Sequence, residues 1–219
     1  MAGNKNFDQE QYWIQRHERL KNDPRSVGHL GKSLEENLLA ERVLVQWVDR
    51  AARLLKPYSS VLDVGCGYGR VATVFCDLGY DYTGIDISPV AIDAARSREP
   101  RGSYLVGSAL DLQYGAKVDL VCALYVLTHF VDDEKWNSLL NKLIDNIKPG
   151  GGLLFADELP NEILRPAPHV AQRPLALYEE LFKSRGMQMD TAFRDNLSAA
   201  LESDGIELPP VHLARRVGE

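Results

Sequence analysis

The chain has 219 residues, 45% of them hydrophobic, and a formal net charge of −6 at pH 7. This length and composition support one sizeable core, and therefore one domain with at most a small appendage. The acidic balance argues against a bulk nucleic-acid binder, because such proteins need dense positive charge to neutralise phosphates. No apolar run of about 18 residues is present, so the sequence predicts no membrane span.

The start of the chain is polar, and the cysteines and histidines are scattered. The three cysteines are Cys66, Cys76 and Cys122. An odd number of thiols and the lack of an apolar leader predict reduced cysteines in a cytoplasmic protein. We interpret each thiol as a small core residue. No histidine pair stands at ligand spacing with an acid, so no metal site is predicted.

The amino-terminal segment predicts two helices. Residues 7–20 form an amphipathic stretch that Asp8 can cap, and a loop with Asp-Pro and two glycines follows. Ser33 and Glu36 then make a capping box ahead of a long apolar stripe that stops at Pro57. We assign residues 1–56 to an amino-terminal helical lid and first packing helix, and residues 57–219 to a single structural unit.

From residue 58 onwards, short apolar strands alternate with helical patterns. One helix has Ser88 as its cap and Pro89 at its first position. Such alternation predicts an α/β fold, a doubly wound and mostly parallel seven-stranded sheet with helices on both faces. The predicted strands are 60–64, 80–87, 102–110, 118–124, 152–159, 187–195 and 209–217.

The last two predicted strands have no helix of normal length between them, although residues 196–205 suit a short one. We therefore expect them to pair as an antiparallel edge hairpin. Ligands of open α/β sheets bind beyond the carboxyl ends of the strands, where the strand order reverses. This rule gathers residues 63–69, 86–88, 107–111 and 123–130 around one crevice.

The sequence DVGCGYG, residues 63–69, follows the first of these strands. A dinucleotide-binding loop has the spacing G-x-G-x-x-G, which would put its third glycine at position 70. Arg70 stands there instead, and the third glycine is Gly69. Glycines at these positions allow the backbone to approach a ligand closely and leave backbone N–H groups free to donate.

This loop resembles motif I of the class I S-adenosylmethionine-dependent methyltransferases of the small-molecule type. The resemblance continues through GIDIS with Asp86, GSALDL from Gly107, the segment 118–130, and the LIDNIKPGGGLLFADE block, and covers about residues 58–160. Five such motifs in the same order are far more specific than any one of them. The resemblance implies that the cofactor is S-adenosylmethionine.

The resemblance also implies how the cofactor is held. Asp63 would hold its ammonium group, directly or through water, and Asp86 would accept both ribose hydroxyls. Ser108 departs from the family, which often has an acid there to accept from the adenine amino group. Ser108 itself, the backbone near Ala109 and Leu110, or Asp111 takes that role. The expected cofactor contacts are Tyr12, Asp63, Gly65, Gly67, Gly69, Asp86, Ile87, Ser108, Ala109, Leu110 and Leu124.

The acceptor side of the crevice is predicted from residues that follow the fourth and fifth strands. His129 suits proton removal near neutral pH, and Tyr125 is a second candidate, with a core role as the alternative. Asp157 and Glu158 end the fifth strand, where one of them would accept from the substrate or pair with His129. The predicted catalytic group is thus His129, Asp157, Glu158 and Tyr125, with further contacts expected from His17, His29, His169 and Arg173.

These features predict an enzyme that transfers a methyl group to the oxygen or nitrogen of a small molecule, such as a specialised metabolite or a sugar. The alternatives are a non-catalytic S-adenosylmethionine-binding or regulatory protein on the same scaffold and, less favoured by the glycine spacing, an NAD-dependent reductase. The expected partner is a small-molecule acceptor, with no nucleic acid and no membrane, in a monomer or homodimer.

Overall fold

The computed structural model describes residues 7–21, 23–111 and 115–217. Residue 112, at the end of the GSALDL stretch, and residues 1–6, at the start of the predicted lid, lie outside that part. Helix α1 spans Gln9–Leu20, and α2 spans Leu34–Leu54, with a single turn of 3-10 helix between them. Both helices begin at the predicted caps, Asp8 and Ser33, because each cap side chain accepts from a backbone N–H of the first turn.

A seven-stranded sheet forms the centre of the molecule, in the order β3-β2-β1-β4-β5-β9-β8. The pairs among β1 to β5 are parallel, whereas β9 pairs antiparallel with both β5 and β8. The doubly wound, mostly parallel sheet is therefore confirmed. Its strands are β1 Ser60–Val64, β2 Asp81–Asp86, β3 Ser103–Val106, β4 Val118–Leu124, β5 Ile147–Ala156, β8 Met187–Met189 and β9 Val211–Arg216.

Helices cover both faces of this sheet. One face packs against α2 and three further helices through side chains such as Trp47, Phe75 and Leu197. The other face packs against two helices through Leu140 and Phe182. The remaining helices are α3 Ala72–Asp77, α4 Pro89–Arg98, α5 Asp133–Asp145, α6 Leu175–Ser184 and α7 Thr191–Glu202.

The carboxyl-terminal third differs from the prediction in its connections. The antiparallel pairing at the edge is correct, but α7 joins its two strands, so they do not form a simple hairpin. Asp190 caps α7 by accepting from Phe193 N, and the apolar side chains of Phe193, Leu197 and Leu201 follow at helical spacing. The predicted strand 187–195 therefore ends at Met189, and the helix between the strands has 12 residues.

Two further differences affect strands. β5 begins at Ile147, five residues before the predicted start, and its pairing with β4 shifts register between Val118 and Leu120. A small two-stranded sheet, β6 Leu164–Ala167 with β7 Val170–Gln172, was not predicted because its strands are too short to show a pattern. No helix within the described ranges is long and apolar enough to cross a membrane.

Gly69 allows the loop between β1 and α3 to pack closely on α4. It has a φ of +76°, and a Cβ atom at this position would lie 3.1 Å from Cβ of Ala95. Gly79 has a similar φ of +75°, but a Cβ atom there would have no neighbour within 4 Å. Substitutions at the two glycines therefore distinguish the free-energy cost of a left-handed backbone from the cost of a close steric contact.

We expect Gly69→Ala to lower the free energy of unfolding by about 2–3 kcal/mol, since it adds a steric contact to the left-handed backbone cost of roughly 1–2 kcal/mol. Gly79→Ala should lower it by the backbone cost alone. Urea denaturation of both variants measures the difference. Equal losses would show that the contact between the loop and α4 does not require a glycine.

Candidate functional site

The carboxyl ends of β1 to β4 line one cavity, and α1 covers it. The cavity has about 760 Å³ of space, counting its open mouth. Each of the four strands contributes wall residues directly after its last residue, as the order reversal between β1 and β4 predicts. The predicted site residues in the wall are His17, Gly65, Asp86, Ile87, Ser108, Ala109, Leu124, Tyr125 and His129.

The glycine loop after β1 approaches the cavity without side chains. A Cβ atom at Gly65 would lie 2.5 Å from Cγ2 of Val126, and one at Gly67 would lie 2.8 Å from Cγ1 of Val27. The expectation of free backbone donors is not met at the start of the loop, because Gly65 N and Cys66 N both donate to the Ile85 carbonyl. Gly67 and Gly69 lie behind the wall, so their part is to shape the loop.

The Asp86 carboxylate lies at the centre of the wall. Gly67 N donates to its Oδ2, and Ser88 N donates to its Oδ1, both at 2.9 Å. Burial raises the pKa of Asp86, while nearby His17 and the backbone N–H groups lower it. A carboxylate has about four acceptor positions, so Asp86 can still accept from hydroxyl groups of a ligand.

Asp63 lies beneath the loop and does not line the cavity. Its Oδ2 accepts from the Tyr82 hydroxyl at 2.7 Å, and its side chain is buried. Burial raises its pKa to about 7, although the hydrogen bond from Tyr82 acts in the opposite direction. The predicted direct contact of Asp63 with a cofactor ammonium group therefore does not fit this arrangement, and a supporting role under the loop does.

Ser108 meets the lid at the end of β3. Its hydroxyl donates to Oε1 of Glu10 at 2.5 Å, and its oxygen accepts from Leu110 N at 3.1 Å. Glu10, Ser108 and Ala109 are in the cavity wall, whereas Leu110 is not. The lid thus supplies a carboxylate beside the position where the family often has an acid.

His129 follows β4 and faces the cavity. Its Nδ1 lies 3.0 Å from the carbonyl oxygen of His169. Because a carbonyl oxygen only accepts, Nδ1 carries the proton and Nε2 keeps a lone pair. Burial lowers the pKa of His129 to about 4, so the ring is neutral at pH 7. The ring of Trp13 packs edge-on against it, with the centroids 4.7 Å apart.

Tyr125 has an unusual backbone for a side chain of its size. Its φ is +59°, and its N–H donates to the Ala156 carbonyl at 2.9 Å. Its side chain lines the cavity and is 37% exposed. Non-glycine residues in this region are costly and often occur at functional sites.

Asp157 and Glu158 do not reach the cavity, contrary to the prediction. Asp157 is buried, and its Oδ2 accepts from the Tyr178 hydroxyl at 2.9 Å. Burial raises the pKa of Asp157 to about 7. Glu158 is exposed. Neither pairs with His129, since Asp157 contacts Tyr178 of α6 and Glu158 faces solvent.

Most of the other lid and loop residues that were predicted to contact a ligand also lie outside the cavity wall. Tyr12 lies behind the cavity wall, where its ring stacks on His169 with centroids 4.9 Å apart and its hydroxyl accepts from Arg16. His29 is exposed, and its Nδ1 accepts from Gly31 N. Arg173 is buried, where it donates to Asp133 and to the Phe130 carbonyl.

The cavity wall also contains residues that were not predicted as cofactor contacts. Glu10, Trp13 and His17 share one face of α1, at the i, i+3, i+7 spacing that would have placed them together. Arg70, directly after the glycine loop, lines the wall as well. Within the described residues, no group of three or more His, Cys, Asp or Glu side chains is placed to hold a metal ion.

Comparison with known proteins agrees with this geometry. Residues 61–151 match a family model described as a methyltransferase domain. An uncharacterized methyltransferase of Synechocystis sp. is 28% identical over 163 residues, which cover 73% of this chain and 72% of that protein. A ubiquinone biosynthesis O-methyltransferase of Xanthomonas campestris pv. campestris is 32% identical over 112 residues, which cover 48% of this chain and only 46% of that enzyme.

Among solved structures, the magnesium protoporphyrin IX methyltransferase of Synechocystis with bound SAM superposes with a TM-score of 0.68 at 17% identity, covering 97% of this chain and 99% of the other. The fold and the cavity define an α/β protein with a candidate ligand site at the switch point of its sheet. The chain is similar to S-adenosylmethionine-dependent methyltransferases: its residues 61–151 match a methyltransferase domain, and its fold is that of a methyltransferase solved with bound SAM.

The raised pKa of Asp63 gives a pH-dependent prediction. Between the unfolded pKa near 3.8 and the folded pKa of about 7, the folded protein holds a proton that the unfolded chain releases. The contribution of Asp63 to stability therefore falls as the pH rises through this window.

We expect Asp63→Asn, which can still accept from Tyr82, to gain stability relative to the natural protein on going from pH 5 to pH 8. The gain should be on the order of 2 kcal/mol, measured by urea denaturation at each pH. Because the difference between the two proteins is followed, other titrating groups cancel. A difference that does not change with pH would mean that Asp63 is ionised in the folded state.

Proposed function

We propose that this protein transfers the methyl group of S-adenosylmethionine to an oxygen or nitrogen atom of a small molecule. The observation that carries the proposal is the covered cavity at the ends of β1 to β4, with the neutral His129 at its β4 side. When bound, the cofactor supplies a methyl group activated by a sulfonium. The residues of the chain bind and orient the reactants and exclude water.

The order of the strands suggests the orientation of the cofactor. The adenine would lie after β3, against Ala109 and near the Ser108–Glu10 contact. The ribose would lie after β2, on Asp86. The amino-acid end would then extend over β1 and β4, which leaves the methyl group facing the segment from Tyr125 to His129.

Arg70 is suited to hold the carboxylate of the cofactor. It is the one lysine or arginine in the cavity wall, and it makes no hydrogen bond with any residue in the described part of the chain. The cofactor has a single anionic group, its carboxylate, at the end expected over β1. A guanidinium group pairs with a carboxylate through two parallel hydrogen bonds.

We expect Arg70→Met to weaken S-adenosylhomocysteine binding roughly 10- to 100-fold, as loss of a charged hydrogen bond requires. Binding of 5′-methylthioadenosine, which lacks the amino-acid carboxylate, should stay the same. Calorimetry with both ligands measures this difference. Arg53→Met, on the exposed side of α2, serves as the control. If Arg70→Met lost affinity equally for the two ligands, Arg70 would not bind the cofactor carboxylate.

His129 is proposed as the base that removes the acceptor proton, or as a contact that orients the acceptor. The His169 carbonyl fixes its tautomer, so that Nε2 can accept a proton. Its lowered pKa keeps Nε2 free at neutral pH, although it also makes the ring a weaker base. Tyr125 lies on the same side of the cavity and can contact the acceptor.

We expect His129→Gln to lower the rate of methyl transfer by roughly 10²-fold or more for a hydroxyl acceptor. Its affinity for S-adenosylhomocysteine should change less than threefold. The rate of the natural enzyme should stay level from pH 8 to pH 5 and fall as His129 is protonated near pH 4. Parallel losses of rate and cofactor affinity would make His129 a structural residue.

Two features favour a small acceptor. We assign residues 1–56 to a helical lid and first packing helix, ahead of a cofactor-binding unit of residues 57–219, and helix α1 of this lid covers the cavity through Glu10, Trp13 and His17. The Xanthomonas relative is named for O-methyl transfer in ubiquinone biosynthesis. A specialised metabolite or a sugar fits such a space.

A screen of small hydroxyl- and amine-containing compounds with radiolabelled S-adenosylmethionine tests the proposal. Label should move to a compound of low molecular mass, with one S-adenosylhomocysteine formed per transfer. Cofactor binding without transfer to any compound would favour a non-catalytic or regulatory protein on this scaffold. A rise in melting temperature with NAD but not with S-adenosylhomocysteine would favour a reductase.

A further inference from the structure

His17 of helix α1 is buried against the cavity with neither of its ring nitrogens hydrogen-bonded. Its side chain is 4% exposed, and it lines the cavity wall. Nδ1 and Nε2 both lack a hydrogen-bond partner among the residues that the structure describes. Leaving a buried polar group without a hydrogen bond destabilises a protein, so a pair of such groups is rarely kept without a reason.

The position of His17 indicates what its nitrogens contact when the cofactor is bound. Nδ1 lies 3.9 Å from Oδ1 of Asp86, too far for a direct hydrogen bond. A hydroxyl oxygen between the two atoms can lie at about 2.8 Å from each of them. Asp86 is the residue proposed to accept from the ribose, and both of its oxygens keep acceptor capacity.

The chemistry of a ribose hydroxyl matches this pair of residues. A hydroxyl donates one hydrogen bond and accepts others. When it is ionised, the Asp86 carboxylate accepts hydrogen bonds and cannot donate one. Burial lowers the pKa of His17, so near pH 7 its ring has one N–H and one lone pair. A hydroxyl that donates to the carboxylate can therefore accept from the imidazole N–H.

We propose that His17 binds a ribose hydroxyl of the cofactor opposite Asp86, so that the lid helix and β2 hold the sugar between them. This inference rests on the proposed placement of the ribose. It assigns the lid a direct part in cofactor recognition. Glu10 and Trp13, on the same face of α1, extend that contact towards the adenine and the acceptor side.

The test compares S-adenosylhomocysteine with its 2′-deoxy and 3′-deoxy analogues by calorimetry. The natural protein should bind at least one deoxy analogue more weakly, because Asp86 and His17 both lose a partner. His17→Phe should weaken the binding of S-adenosylhomocysteine about 10-fold. It should also reduce, by a similar factor, the ratio of the affinity for S-adenosylhomocysteine to the affinity for that analogue. His17→Gln, which keeps a donor and an acceptor, should recover part of both.

The controls separate recognition from folding. His29→Gln makes a matching change at an exposed histidine outside the cavity and should bind all three ligands normally. Circular dichroism and melting temperature establish that each His17 variant is folded. If His17→Phe does not fold, the same comparison is made with His17→Gln. The glutamine donor has a different length from histidine, so it should still change the ratio of the affinities for S-adenosylhomocysteine and the deoxy analogue.

Two results would overturn the inference. One is unchanged binding of S-adenosylhomocysteine by a folded His17→Phe protein. The other is an equal loss of affinity for all three ligands, which would show that His17 has a structural role. Failure of the natural protein to bind S-adenosylhomocysteine would instead overturn the proposed function itself. The two failures are therefore distinguishable.

Discussion

The carboxylate of Asp86 connects the parts of the molecule on which the site depends. It accepts from Gly67 N in the loop after β1 and from Ser88 N at the start of α4. The ends of two neighbouring strands are thus fixed relative to each other by one buried side chain. The same side chain faces the cavity and the lid. A ligand that bonds to Asp86 therefore meets a group that is already oriented, which reduces the entropy lost on binding.

The sequence predicted the part of the chain in which local patterns and tertiary structure agree. Helices α1, α2 and α4 have side-chain caps at Asp8, Ser33 and Ser88, and they begin at those residues. Strands β1, β2 and β4 are largely buried apolar runs, and the order of the motifs predicted that the carboxyl ends of β1 to β4 line one cavity. The prediction was weaker after β5. There α7 was predicted only as a short helix over residues 196–205, and β6 and β7 have three or four residues each.

Residues at the ends of β1 to β4 line the cavity as predicted, whereas other residues predicted for the same crevice point elsewhere. Asp157 and Glu158 follow β5 directly, yet Asp157 contacts Tyr178 and Glu158 faces solvent. Tyr12 is an analogous case, because its neighbour on the next helical position, Trp13, is the one that lines the cavity. His17 and Arg70, which we propose as cofactor contacts, were not predicted as such, because a sequence does not show which polar groups lack a partner.

The β6–β7 hairpin has a consequence for how such a chain diversifies. Its turn contains His169, whose carbonyl sets the tautomer of His129 and whose ring stacks on Tyr12 of the lid. The hairpin is a separate two-stranded unit that does not join the central sheet. On the proposed role of His129, changes in the length or sequence of this hairpin would alter the acceptor side of the cavity and leave the proposed nucleoside end unchanged. Variation in acceptor choice among descendants of this fold would accumulate there.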